Sequence, residues 1–177
     1  MIQFSPLTGI SADALNALLD DAFGTDRHMR TAYLLRKGMT AIDHLSFAIL
    51  DSGVLVASIQ CWPVRVDTTA LILVGPVAVA THFQNNGLGK QLMQLMLDAA
   101  TPQDPPMVMI GDPEYYGRFF GFSAAHTGGW KLPGPWDPAL FLDVDGKWDV
   151  YWGSSNVFPL SGLEIEFKDG RMISKGR

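Results

Sequence analysis

Positive charge is scarce in this chain and cysteine nearly absent. Thirteen Lys and Arg face 18 Asp and Glu, for a formal net charge of −5, and no stretch gathers basic residues into a run. A surface of that kind does not neutralise a phosphate backbone, so no nucleic acid is expected as a partner. Arg30, Arg36 and Lys37, the nearest thing to a basic group, read as a solvated helix face. Cys61 stands alone, which excludes an internal disulfide. His28, His44, His82 and His126 lie far apart and lack ligand spacing, so no metal is expected. No segment is long and apolar enough to span a membrane, and the opening MIQFSPLTG lacks the basic start and apolar core of a signal peptide. A cytoplasmic location follows as the expectation.

What is abundant is apolar: 47% of the 177 residues, with five tryptophans. That suits one domain over 1–177 with an ample core, the bulk in about 1–145 and terminal strands in 146–177. The stretch from Leu71 to Thr101 organises it. Leu71 to Val79 is an apolar, β-branched run of the kind a covered central strand shows. Leu92, Met93, Leu95, Met96 and Ala99 recur near the 3.6 period, predicting a helix that opens near Lys90. Between the two lies Gln84-Asn85-Asn86-Gly87-Leu88-Gly89. A glycine loop at a helix mouth turns unpaired N–H groups toward the positive end of the helix dipole, which makes an anion site, and Lys90 adds a charge at its rim. Gly87 and Gly89 are free to take left-handed conformations and to let an anion approach the backbone. The alternative is a tight turn followed by a packing glycine.

Neither the dinucleotide fingerprint nor the phosphate loop of nucleotide hydrolases is spelled here. What is spelled is Q-x-x-G-x-G after Val-Ala-Val, and this resembles the GCN5-related N-acetyltransferase superfamily, whose loop cradles the coenzyme A pyrophosphate between strand four and helix three. The later Gly111-Asp112-Pro113-x-Tyr115-Tyr116 and Leu132-Pro133-Gly134-Pro135 look most like the YhbS-type predicted acetyltransferases. The resemblance implies a mixed α/β (α+β) fold: a mostly antiparallel sheet flanked by helices, with strands four and five splayed to admit the pantetheine arm.

The rest of the chain suits that fold. Ile2 to Pro6 reads as a strand, and Ser11 as the N-cap of a helix carrying Leu15, Leu18, Leu19 and Phe23 and ending at Gly24. A second helix is expected over Asp26 to Lys37, with Met29, Tyr33 and Leu34 inward and Gly38 as its stop. Leu45 to Leu50 and Val54 to Pro63 form a hairpin about Asp51-Ser52-Gly53. Pro76 cannot donate to a ladder, so pairing should break or bulge near it. Met107 to Ile110 is a short buried strand, and Pro113 starts a short helix that Gly121 ends. Phe141 to Val144, Trp148 to Trp152, Leu163 to Phe167 and Met172-Ile173 read as strands.

For site residues, the resemblance implies acetyl-CoA as cosubstrate, held by Val77 and Val79 of strand four and by Gln84, Asn85, Asn86, Gly87, Leu88, Gly89 and Lys90. A strand-four backbone N–H near Val79 would bond the thioester oxygen as charge grows there. Tyr116 would protonate the departing thiolate, with Tyr115 as the competing candidate. The relatives' commoner spacing is Tyr-x-x-x-Gly-Phe, and counting back from Gly121-Phe122 lands on Gly117 instead. Strand four has no Asp, Glu or His between Leu71 and Val79, so water is the expected base; Glu114, Asp112, Asp143 and His82 are alternatives. Asp20, Asp21 and Asp26 could attract a cationic amine or be plain surface charges. The expected activity is acetylation of a small-molecule or amino-acid-like amine, by a monomer or homodimer. A peptide N-terminal acetyltransferase, a non-catalytic acyl-CoA-binding module and a structural protein are the other readings.

Overall fold

Ser52 and Gly53 both take positive φ, 50° and 84°, and turn the chain tightly, a backbone whose twist matches the hairpin strands it joins. Those strands are β2, Phe47–Asp51, and β3, Val54–Val66. The structure is a computed structural model. It describes residues 1–66, 69–124, 141–144, 157–159, 164–168 and 171–175, with side chains over 1–65 and 70–124.

The chain divides into two compact units, Met1–His28 with Ala41–Cys61 and Val74–Asp104, and Met29–Thr40 with Trp62–Leu73 and Pro105–Arg177. β3 and β4, Thr69–Val79, contribute to both.

In the first unit, β1, Ile2–Pro6, lies antiparallel on β2 from Ile2↔Asp51 to Pro6↔Phe47. β2 lies antiparallel on β3, and Val56 is the extra residue of a bulge, since Ile49 faces Ala57 while Leu50 faces Leu55. Helix α1, Ala12–Phe23, starts where expected: the Ala14 N–H donates to Ser11 Oγ at 3.2 Å, and Gly24 follows its last turn at φ 88°. Its apolar stripe buries Leu18 and Leu19 against Ala78 of β4 and Ala80 just beyond, with Leu55 and Phe83 joining them. Two fully buried leucines are worth about 1.5–3 kcal/mol each. Helix α3, Leu88–Ala99, packs on β2 and buries Leu88, Leu92, Met93 and Met96. It opens two residues earlier than the periodicity predicts. Leu45 belongs to a 3₁₀ turn over Asp43–Leu45 rather than to β2.

The expected helix over 26–37 is not continuous. A 3₁₀ turn, Arg27–Met29, precedes the short α2, Thr31–Leu35. Arg27 explains the break: its guanidinium is buried, donating to Asp20 at 2.8 Å and Asn16 at 3.0 Å, which holds this stretch to the flank of α1. Met29, expected inside, is 84% exposed.

In the second unit, β5, Met107–Ile110, pairs parallel with β4 through Ile72↔Met107 and Leu73↔Val108. Leu35, Val64, Leu71, Leu73 and Val108 form its core, with Trp62 and Ile110 against it. Helix α4, Pro113–Phe120, is capped by Asp112, whose carboxylate accepts the Glu114 N–H at 3.0 Å, and ends at Gly121 with φ 76°. β6, Phe122–Ser123, and β5 both pair antiparallel with β7, Phe141–Val144. β8, Val157–Pro159, pairs with Val64–Val66 of β3. β9, Glu164–Lys168, and β10, Arg171–Lys175, make a separate antiparallel pair. Neither β6 nor β8 is visible in the sequence pattern, each being three residues or fewer. The strand expected over Trp148 to Trp152 lies outside the described residues, as do Trp130, Trp136, Trp148 and Trp152. Strand order β1-β2-β3-β4-β5-β7-β6, with only β4 and β5 parallel among the described pairings, is the mixed, mostly antiparallel α+β sheet expected.

Candidate active site

The loop between β4 and α3 is shaped by two left-handed residues, Asn85 at φ 65° and Gly87 at φ 76°. Asparagine and glycine are the types that tolerate that conformation. Gly87 is the N-cap of α3 and supplies no side-chain cap. The first N–H to bond back is that of Gln91, to the Gly87 carbonyl at 3.1 Å. The N–H groups of Leu88, Gly89 and Lys90 come before that bond, at the positive end of the helix.

Gly89 is not left-handed, contrary to the freedom expected of it; it sits in the first helical turn. A Cβ there would stand 3.8 Å from Cγ1 of Val77 and 3.8 Å from Cγ2 of Val79, so those valines and the bare Cα border one space. Leu88 is buried, which leaves only its backbone to meet a ligand. Asn85, Asn86 and Gln84 are exposed. Gln84 turns back on the strand, its Nε2 donating to the Val79 carbonyl at 3.3 Å, which ties the loop's first residue to the last of β4. The structure thus assembles Val77, Val79 and the whole run from Gln84 to Lys90 within the first unit.

The same unit answers what the N-terminal aspartates do. Asp21 accepts the Thr81 N–H at 2.8 Å and its hydroxyl at 3.1 Å, anchoring the 3₁₀ turn Thr81–Phe83 that leads into the loop. Hydrogen bonding from the Thr81 backbone, then from its side chain, holds this carboxyl below the usual range. Asp20 is the ion partner of Arg27. These partners lie in tertiary structure, 60 residues away for Asp21, and nothing in local sequence signals them.

Tyr116 belongs to the second unit. Its ring lies on Gly111, where a Cβ would come within 2.6 Å of Cε2, so the glycine of Gly111-Asp112-Pro113 is there to seat the tyrosine. The shifted spacing has a steric reason as well: a Cβ at Gly117 would meet the Phe122 carbonyl oxygen at 2.9 Å, so that position admits no side chain. Burial, with Tyr115 and Asp112 adding smaller effects, pushes the Tyr116 phenol up to about 12, and burial also raises Tyr115. Both stay protonated at neutral pH. Their rings meet edge-on at 4.9 Å. Of the alternative bases, Asp112 serves as a helix cap, Glu114 and His82 are exposed, and the Asp143 side chain is outside the described set. Among the described residues no group of His, Cys, Asp and Glu could hold a metal ion, and no helix is long and apolar enough to cross a membrane.

No curated protein matches the chain in sequence. Solved structures do resemble it. One is the GNAT family N-acetyltransferase YhbS of Escherichia coli in complex with CoA, 25% identical over 81% of this chain and 79% of that one, with a TM-score of 0.62. Another is a GNAT family acetyltransferase of Brucella melitensis in complex with acetyl-CoA, 20% identical over 88% of this chain and 94% of that one, with a TM-score of 0.57; at that identity it bears on the fold alone. Residues 12–105, just over half of the chain, match the Acetyltransferase (GNAT) family and include α1, the strands β2 to β4, the glycine loop and α3. The uncapped loop and the strand it follows fall inside the matched region, and the chain belongs to the acetyltransferase (GNAT) family.

Proposed function

We propose that the protein transfers the acetyl group of acetyl-CoA to the amine of a small-molecule or amino-acid-like acceptor. The observation that carries the reading is the bare Cα of Gly89 between Val77, Val79 and the uncapped start of α3. A diphosphate finds backbone donors and a helix dipole there, and no side chain in its way. Lys90 adds a positive charge. The acyl arm would run along Val77 and Val79.

In this reading the amine nitrogen attacks the thioester carbon, and charge on the carbonyl oxygen is met by a backbone N–H near Val79. The carbon–sulfur bond then breaks, and the Tyr116 hydroxyl gives its proton to the departing thiolate. Water removes the amine's surplus proton, and the phenol is reprotonated from solvent. The thioester is already activated, so positioning supplies much of the rate. A net charge of −5 favours an amine over a polyanionic acceptor. Calorimetry with acetyl-CoA, followed by thiol release across small amines, amino acids, aminoglycosides and peptide N-termini, tests the reading. Binding without turnover on the whole panel would select a non-catalytic acyl-CoA module, and robust acetylation of aminoacyl-tRNA with small amines inert would contradict the acceptor class.

A further inference from the structure

β1 is the edge strand of its sheet, paired on one side with β2 and on the other with no strand among the described residues. In an antiparallel pair the residues of each strand alternate between bonding the partner and pointing away from it. The Leu7 N–H donates to the Ser46 carbonyl at 3.0 Å and the Ser52 N–H to the Met1 carbonyl at 3.1 Å, so the odd residues of β1 bond inward. Ile2 and Phe4 therefore turn their N–H and C=O groups to the open edge. Pro6 ends that outward set, since it has no N–H and its carbonyl already accepts the Ser5 hydroxyl at 3.1 Å.

Pro6 at its end apart, β1 lacks the devices that keep an exposed edge from pairing. Its register on β2 runs without a bulge from Ile2↔Asp51 to Pro6↔Phe47. No charged side chain occurs from Met1 to Ala12, in a chain that is 18% charged. Ile2 and Phe4 are instead 42% and 49% exposed, and, two residues apart, they share one face of the strand.

We infer that β1 docks β1 of a second copy of this chain, the two strands running antiparallel about a two-fold axis at Gln3. Ile2 of each copy then exchanges both backbone hydrogen bonds with Phe4 of the other, four bonds in all, and each Ile2 side chain lies beside the opposing Phe4. The outward set is thus complementary to itself, which a two-fold pair requires of its single surface. Charge agrees with that occupant. Two copies at −5 repel over most of their surface, and an uncharged strip is where they can close. Asp51, which faces Ile2, lies one strand inward in each copy, so the two carboxylates would stand at least about 14 Å apart, beyond the screening length. One short strand per copy buries less than the about 800 Å² per partner of a standard interface, so the dimer is weak and reversible. The pairing uses up the edge that forms it and stops at two. It does not depend on the acetyl-transfer reading.

Sedimentation velocity of the full chain, from about 1 to about 500 µM, tests this in the parent, Phe4→Lys, Ile2→Pro and Met29→Lys, with thermal melting of each. The parent should pass from monomer to dimer with a midpoint of about 10–100 µM. Phe4→Lys sets a charge on the edge, and Ile2→Pro removes one outward N–H while the inward bonds stay. Each should weaken the dimer at least tenfold and melt close to the parent, because both side chains are already half exposed. Met29→Lys, which changes an apolar side chain that is 84% exposed elsewhere on the chain, should leave the midpoint where it is. A parent that stays monomeric at the highest concentration overturns the inference and leaves the edge to a strand of some other protein. Association that grows past two, that survives both β1 variants, or that is lost in Met29→Lys also overturns it. Should one β1 variant fail to fold, the other decides.

Discussion

Gly89 lies beside Val79 with room for a methyl group: the Cβ it lacks would stand 3.8 Å from Cγ2 of the valine, in ordinary contact. The fold therefore does not require glycine there. Gly87, by contrast, is held at φ 76° with open space around it, so its need is conformational. Gly89→Ala should keep or raise stability by up to about 1 kcal/mol, the helix propensity difference. Gly87→Ala should lower it by about 1–2 kcal/mol, the cost of a left-handed alanine. Urea midpoints at equal m-value measure both, and a large loss for Gly89→Ala would mean that the glycine serves packing.

Tyr116→Phe should lower kcat by about 10²–10⁴-fold with little change in acetyl-CoA affinity, the usual worth of a general acid. With its phenol pushed up to about 12, the parent should show no loss of kcat from tyrosine ionisation between neutral pH and about pH 10. Steady-state rates across that range check both statements. A damaged Tyr115→Phe beside an unaffected Tyr116→Phe would move the role by one residue.

Asp21 makes loop anchoring pH-dependent. Its folded-state pKa is depressed by the Thr81 hydrogen bonds, so its stabilising effect is present above the unfolded value, near pH 4, and is lost as pH falls through the lower folded one. Asp21→Asn should flatten the acid limb of the melting curve and weaken acetyl-CoA binding modestly, because Thr81 leads directly into the loop. Melting between pH 3 and pH 7, compared with the parent, measures it; identical limbs would remove the anchor.

How far the sequence revealed this depends on how local each feature is. The glycine loop, the Ser11 cap, the short helix from Pro113 to Gly121 and the Ser52-Gly53 turn are written in adjacent residues, and all lie where the pattern predicts. The helix over 26–37 fails because a buried Arg27 paired with Asp20 and Asn16 is a tertiary fact that periodicity reads as a surface charge. The Asp21–Thr81 anchor and the steric exclusion at Gly117 depend on contacts that appear only once the chain is folded.

The central claim is that the first turn of α3 and the end of β4 hold the diphosphate of acetyl-CoA against the bare Cα of Gly89. Titration calorimetry of acetyl-CoA into the parent, Gly89→Ala and Gly89→Val, each shown folded by melting, tests it directly. The account predicts measurable binding by the parent, affinity at least tenfold weaker in Gly89→Ala and none detectable in Gly89→Val. A folded Gly89→Val protein that binds acetyl-CoA as tightly as the parent would contradict it.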